Sequence, residues 1–329
     1  MKAALPFRVR TLEETTSTND EVKRAIDAGE PEGLVVRARR QVAGYGRQGR
    51  TWASPEGGLY CSLLVRPQAS PRELPTLSLV VGMAVRRALV ALAGEDAAEN
   101  VRIKWPNDVV LMPGCARAGA ADVSSAQNRR YERFLQSDEN SDLGFYESAP
   151  NFEAKNRSYL DFCASETSLD EGAACAPADA MGDAAFDARA VPAKLCGISL
   201  EAHAGGVCVG VGVNVLPPDE RVDVGGKNCA AYVADLVPVA PLSIEIVLDV
   251  FLGAFAPLYD EWARSGFAAL VDEFNAHASL LGRTVSVVDR AGSTLAEGIV
   301  RRIDAHGRLV LVGENGIEIP VSSGEAHLV

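Results

Sequence analysis

Read as a pattern of apolar and polar positions, the chain divides into a long α/β part and a short β-rich end. Behind Thr18, the apolar residues Val22, Ala25 and Ile26 recur at helical spacing, Thr18 and Glu21 form a Thr-x-x-Glu capping box, and Gly29 supplies a stop. This predicts a short amphipathic helix. Residues 34–38 are mostly apolar and β-branched, and 59–65 alternate in part, so two strands flank the segment GYGRQGRTWASPEGG. Residues 76–93, closed by Gly94, are apolar on most faces and predict a buried helix. A strand pattern over 101–111 is interrupted at Pro106, and residues 194–201 and 207–215 read as a hairpin turning at Gly205-Gly206. Two further segments, 243–265 and 267–277, are helical by period, the first kinked or divided near Pro257.

From residue 281 the pattern changes to short β-rich runs at 284–288, 298–303, 309–312 and 316–321, separated by Gly, Asp and Asn turns. That spacing predicts a small β-barrel. With the boundary near Ser279, the expected organisation is a larger α/β domain over 1–279 and a barrel over 280–329. Residues 113–193 fit neither unit. They hold 14 Asp plus Glu against 7 Lys plus Arg, with much Ala and Ser and little sustained period, and read as a mostly disordered insertion. Their only apolar clusters, 131–135 and 159–162, are suited to docking on the body or on a partner, or to a solvated linker.

Composition narrows the class. The chain has 329 residues, 47% of them hydrophobic and 23% charged, enough for about two globular domains. The apolar run at 77–85 ends at Arg86-Arg87, short of a bilayer span, so no membrane segment is expected. The N-terminus reaches Pro6 and Arg8 before any apolar core and does not read as a secretory signal, which points to a cytoplasmic protein. Seven cysteines without a CxxC spacing argue against a disulfide framework and a zinc knuckle. A net charge of -12 is a poor match for a nucleic-acid backbone, so any anion-binding site has to be local.

One such site is visible. Arg39, Arg40, Arg47 and Arg50 lie close together, with Gly44, Gly46 and Gly49 interleaved among the last two. Glycines let the backbone approach a ligand, and arginines present forked donors to phosphate or carboxylate oxygens. The same composition also occurs in ordinary surface turns. Neither a Walker loop nor a strand-to-helix GxGxxG fits, because no Gly-Lys-Ser/Thr follows and the next segment is extended.

The order of several features is more specific. Ser17-Thr18-Asn19, Gln41 with GYGRQGRTW, KWPND at 104–108, Lys194-Leu-Cys-Gly-Ile with Glu201, and GVGVNV at 210–215 together resemble the biotin protein ligase family. The resemblance spans nearly the whole chain outside the insertion. It implies an α+β fold, a mixed and mostly antiparallel sheet packed with helices as in class II synthetases, followed by a small SH3-like β-barrel. It also implies the activity: biotin and MgATP give biotinyl-5′-adenylate and pyrophosphate, and the biotinyl group passes to a lysine of a biotin carboxyl carrier protein. Carried over by motif, Arg47, Lys194 and Asp108 would be catalytic. Ser17, Thr18, Asn19, Gln41, Tyr45, Gly46, Arg47 and Lys194 would hold biotin, and Arg47, Arg50, Trp52, Asn107 and Asn214 the nucleotide. Asn107 and Asp108 would serve Mg2+, the phosphates or the incoming lysine, and the metal ligands stay unassigned.

Outside a ligase these residues have ordinary roles, with Thr18 as a helix cap, Trp52 as core and Asn214 as a turn residue. Two departures stand out. Tyr45 occupies a position where many members carry Arg, and the family usually has a short turn where this chain has 113–193. Only sixteen residues precede Ser17, so no DNA-binding domain is expected. A homodimer is compatible with the resemblance but has no residue of its own to support it. The alternatives are a lipoate or octanoate ligase or transferase of the same broad fold, and a relative that binds biotin without catalysis.

Overall fold

The computed structural model describes residues 5–94, 97–112, 192–218, 229–237 and 242–329. A seven-stranded sheet runs in the order β1 (Arg8–Thr15), β2 (Leu34–Gln41), β3 (Leu59–Val65), β7 (Gly206–Val213), β6 (Ala193–His203), β5 (Asp108–Leu111), β4 (Val101–Lys104). Only β1 and β2 pair in parallel; every other neighbour is antiparallel. The sheet is therefore mixed and mostly antiparallel, as expected. Strand β1, RVRTLEET, is an addition: its mostly exposed, charged residues suit an edge strand and give no apolar alternation to read.

Helix α1 (Thr18–Asp27) buries Val22, Ala25 and Ile26 against Leu34, Val36, Leu64 and Cys208 on one face of the sheet. The opposite face is covered by α2 (Leu77–Ala93), whose apolar residues on nearly all sides are explained by its position between the sheet and α3 (Ile244–Ser265). By length and composition residues 74–93 would suffice to cross a membrane, yet 72% of that window is buried inside this fold. Helix α3 carries Phe251, Phe255, Tyr259 and Trp262 along one buried face, and Trp262 Nε1 donates to Thr76 Oγ1 at 2.8 Å. It is continuous across Pro257. That proline is exposed, so the carbonyl it frees one turn back faces the solvent side, and the helix is not divided there. A short helix, α4 (Val271–Ala276), follows.

The C-terminal segment forms a second, wholly antiparallel five-stranded sheet in the order β11 (Glu318–Val321), β10 (Leu309–Val312), β9 (Thr294–Ile303), β8 (Thr284–Val288), β12 (Glu325–Leu328). Its inward residues, among them Val285, Val287, Ile303 and Leu311, belong to the same apolar core as the large sheet. Polar bonds reinforce the joint: Trp105 Nε1 donates to Gly307 O at 3.0 Å, and Asn275 bonds Ile303 through both its amide groups.

Two local expectations change. The β6–β7 turn is Ala204-Gly205, both with positive φ, and Gly206 already pairs with His203. The insertion expected over 113–193 falls, for 113–191, outside the described residues; Ala193 opens β6 and pairs with Leu111 of β5.

Candidate active site

Beside α1, the sheet face it shares is paved with glycine. A Cβ on Gly197 would meet the Trp52 ring at 2.8 Å, one on Gly212 the same ring at 2.7 Å, and one on Gly210 the Asn19 side chain at 2.4 Å. Gly210 and Gly212 alternate with the buried Val211 and Val213, so GVGVNV sends valines to the core and leaves bare backbone on the other side. This is a floor built for close approach.

At one end of the floor stand the buried residues Ser17, Thr18 and Asn19. The expected capping box does not form. Ser17 occupies the N-cap without a side-chain cap bond, Thr18 turns inward to Ser62 Oγ (2.8 Å) and Gln41 Oε1 (3.2 Å), and Glu21 instead accepts from Thr15 Oγ1 at 2.6 Å. Gln41 Oε1 also accepts from the Thr18 amide at 2.8 Å, so a residue from β2 caps the helix. Asn19 accepts from Ser62 Oγ at 2.6 Å and donates to Ser199 Oγ and Glu201 Oε1 at 3.2 and 3.0 Å. Glu201 pairs onward with Lys23 at 3.0 Å.

The Gly-rich segment is a narrow hairpin. Gln41 bridges Ser54 and Tyr45 bridges Thr51, with Trp52 N donating to Gly44 O (2.9 Å) and Gly46 N to Arg50 O (2.8 Å). Its tip, a 3-10 turn over Arg47–Gly49, turns through left-handed φ values of 63° at Gln48 and 73° at Gly49. The Tyr45 phenol accepts from Lys23 Nζ and donates to Asp20 Oδ1, both at 2.7 Å, and burial pushes its pKa up to about 12. Arg47 Nη1 donates to Gly324 O at 3.0 Å, and burial lowers its pKa. Arg50 pairs with Glu325 of β12; burial of Glu325 opposes its charge, but Arg50 holds its pKa below the usual carboxylate range.

Lys194 lies across the floor. Its ammonium is 2.7 Å from Asp108 Oδ1 and 5.2 Å from the Trp52 ring centroid. Among the described residues that oxygen accepts no other hydrogen bond, so the ion pair with Lys194 is what holds it. Asn214 Nδ2 donates to Lys194 O at 3.0 Å, and Asn107, following the cis Trp105–Pro106 peptide, donates to Ile198 O at 2.9 Å. Both asparagine amides thus brace β6 around the lysine. Trp52 Nε1 is buried with no acceptor among the described residues, a donor whose desolvation is repaid only if something bound supplies one.

Most of the residues singled out in the sequence meet here, but Arg39 and Arg40 do not: they pair with Glu13 and Glu14 of the exposed edge strand β1. Gln41, Asn19 and the Tyr45 hydroxyl point to protein partners, whereas Arg47, Lys194, Asp108 and Trp52 ring the floor. Sequence reading gave no role to Lys23, Ser62, Ser199, Lys104 or Glu325. Lys104, paired in register with Asp108, has its pKa lowered by burial and feels Asp108, Lys194 and Glu325. Among the described residues, the carboxylates that Arg47, Arg50, Lys104 and Lys194 meet are Asp108 and Glu325, a local cationic excess on a chain of net charge -12. Among the described residues no group of three His, Cys, Asp or Glu is arranged to hold a metal.

Residues 11–137 match the model of the biotin/lipoate A/B protein ligase family, and 280–329 match the C-terminal domain of biotin protein ligases. A biotin–[acetyl-CoA-carboxylase] ligase of Paracoccus denitrificans is 25% identical, with 94% of this chain and 95% of that protein covered. The enzyme of the same name from Mycobacterium tuberculosis is 36% identical over 34% of this chain and 42% of its own. Among solved structures, the biotin protein ligase from Aquifex aeolicus in complex with biotin and ATP aligns with a TM-score of 0.62 at 20% identity, covering 98% of both chains.

Proposed function

The chain belongs to the biotin protein ligase family, and we propose that it activates biotin with ATP and passes the biotinyl group to a lysine of a biotin carboxyl carrier protein. The observation that carries this reading is the glycine floor bounded on one side by buried polar side chains and on the other by the cluster of Arg47, Arg50, Lys104 and Lys194.

In the first half-reaction a biotin carboxylate oxygen attacks the α-phosphorus of ATP, the bond to the bridging oxygen breaks, and pyrophosphate leaves. Two anions must meet, so fixed cations are required between them. Lys194, steered by Asp108 and braced through Asn214, suits the carboxyl oxygen; Arg47 and Arg50 suit the phosphates, exchanging their contacts with Gly324 and Glu325 for phosphate oxygens. The hairpin covers the floor and limits access of water to the mixed anhydride. In the second half-reaction the carrier lysine amine attacks the acyl carbonyl and AMP leaves with the bonding pair. Lys194 then stabilises charge on the carbonyl oxygen.

The Trp52 indole, seated on Gly197 and Gly212, suits the apolar bicycle of biotin lying beside it and, at Nε1, a ligand acceptor. The ureido group of biotin suits the polar end at Ser17 and Thr18. A dithiolane or an alkyl chain would offer this polar end no hydrogen-bonding group, which favours biotin over lipoate or octanoate. Asp108 and Glu325 are each paired with a cation, so magnesium fits as a component of MgATP, held by phosphate oxygens and water, with no cage of protein ligands. Incubation with biotin, ATP and an apo-carrier domain tests the whole reading. Biotinyl-lysine at one carrier position supports it; unmodified carrier, with labelled biotin never turned over, contradicts it.

A further inference from the structure

Tyr45 is tied into the structure in a way that none of these steps uses. It sits on the outgoing strand of the Gly-rich hairpin, paired with Thr51, yet its side chain reaches helix α1. The phenol oxygen accepts from Lys23 and donates to Asp20, while the Lys23 ammonium lies 5.3 Å from the ring centroid. Lys23 is itself fixed by Asp20 at 3.2 Å and Glu201 at 3.0 Å. From Glu201 the bonds continue through Asn19, Ser62 and Thr18 to Gln41, the foot of the same hairpin. The circuit therefore closes: one helix holds the hairpin at its base through Gln41 and further out through Tyr45. Tyrosine meets the chemistry of that outer point. A phenylalanine would lose both bonds, and a cationic side chain would face the Lys23 ammonium.

We propose that Tyr45 is a positioning residue, whose phenol, shared between Asp20 and Lys23, anchors the Gly-rich hairpin to helix α1 so that the hairpin lies over the glycine floor in the free protein and retains the acyl-adenylate once formed. The retention half of this inference rests on the ligase reading; the anchoring half does not.

Limited trypsin digestion of the full chain without ligands tests the anchor, because Arg47 and Arg50 are cleavage sites at the hairpin tip. The wild type is expected to resist cleavage there. Lys23→Met is expected to speed it about tenfold, the equivalent of one hydrogen bond to a charged group, and Tyr45→Phe, which loses both bonds, by more. The double variant should be no faster than the faster single one, since both act at one contact. Asp20→Asn, which keeps an acceptor, should restore most of the protection lost with Asp20→Ala. Release of biotinyl-AMP should quicken in the same order. Wild-type cleavage rates in Tyr45→Phe would overturn the inference and leave β12 as the anchor. So would cleavage rising equally at sites across the whole chain, which would mark a general packing role. Altered cleavage in a protein that forms no adenylate would keep the anchor and remove the ligase reading.

Discussion

Replacing Lys194 with methionine removes one charge while keeping an unbranched side chain against Trp52. At about 4 Å and an effective dielectric of about 20, one unit charge changes the energy of another by about 4 kcal/mol. The Lys194 and Asp108 side chains retain 31% and 22% exposure, and solvent screening reduces the effect to about 2–3 kcal/mol. The expected loss in biotin-dependent pyrophosphate exchange is then about 30- to 150-fold in kcat/KM. The variant also leaves Asp108 unpaired beside the biotin carboxylate. If the role of Asp108 is to steer Lys194, adding Asp108→Asn to Lys194→Met should cause no further loss and should recover part of it. The transfer step, followed with isolated biotinyl-AMP and an apo-carrier domain, should fall as well. Exchange by Lys194→Met within threefold of wild type would refute the assignment, and strictly additive losses would refute the coupling to Asp108.

Other outcomes follow from the same geometry. Gly212→Ala places a Cβ at 2.7 Å from the Trp52 ring and should cost about 1–3 kcal/mol, read as a rise in KM for biotin and ATP or as a lowered unfolding midpoint. Leu111 and Ala193 are paired across β5 and β6, so replacing residues 114–191 with a short turn should preserve folding and exchange; an insoluble product would contradict that. Burial, with Arg86 and Arg102 nearby, lowers the His277 pKa from 6.5, and its Nδ1 is buried without a hydrogen-bond partner among the described residues. The unfolded chain therefore binds this proton more readily. Stability should decline as pH falls below 6.5, and urea titrations should show a flatter decline in His277→Gln.

What the sequence disclosed depended on how local the signal was. The apolar run over 207–215 made the strand legible though not its glycine face, and KWPND and Lys194 lie on neighbouring strands, so ordered motifs mapped onto one site. The capping box was misleading because Thr18 is claimed by Ser62 and Gln41, partners set by the sheet rather than by helical spacing. Strand β1 was missed because charged edge residues carry no apolar period. The contact of the hairpin with β12 was not legible for a different reason: Arg47 meets Gly324 across 277 residues of chain, and no short-range pattern encodes it.

The most direct test of the central claim is biotin-dependent exchange of labelled pyrophosphate into ATP, with lipoate and octanoate run in parallel. Exchange supported by biotin and by neither other acid is the predicted result. Exchange with lipoate or octanoate in place of biotin, or with no acid at all, would contradict it.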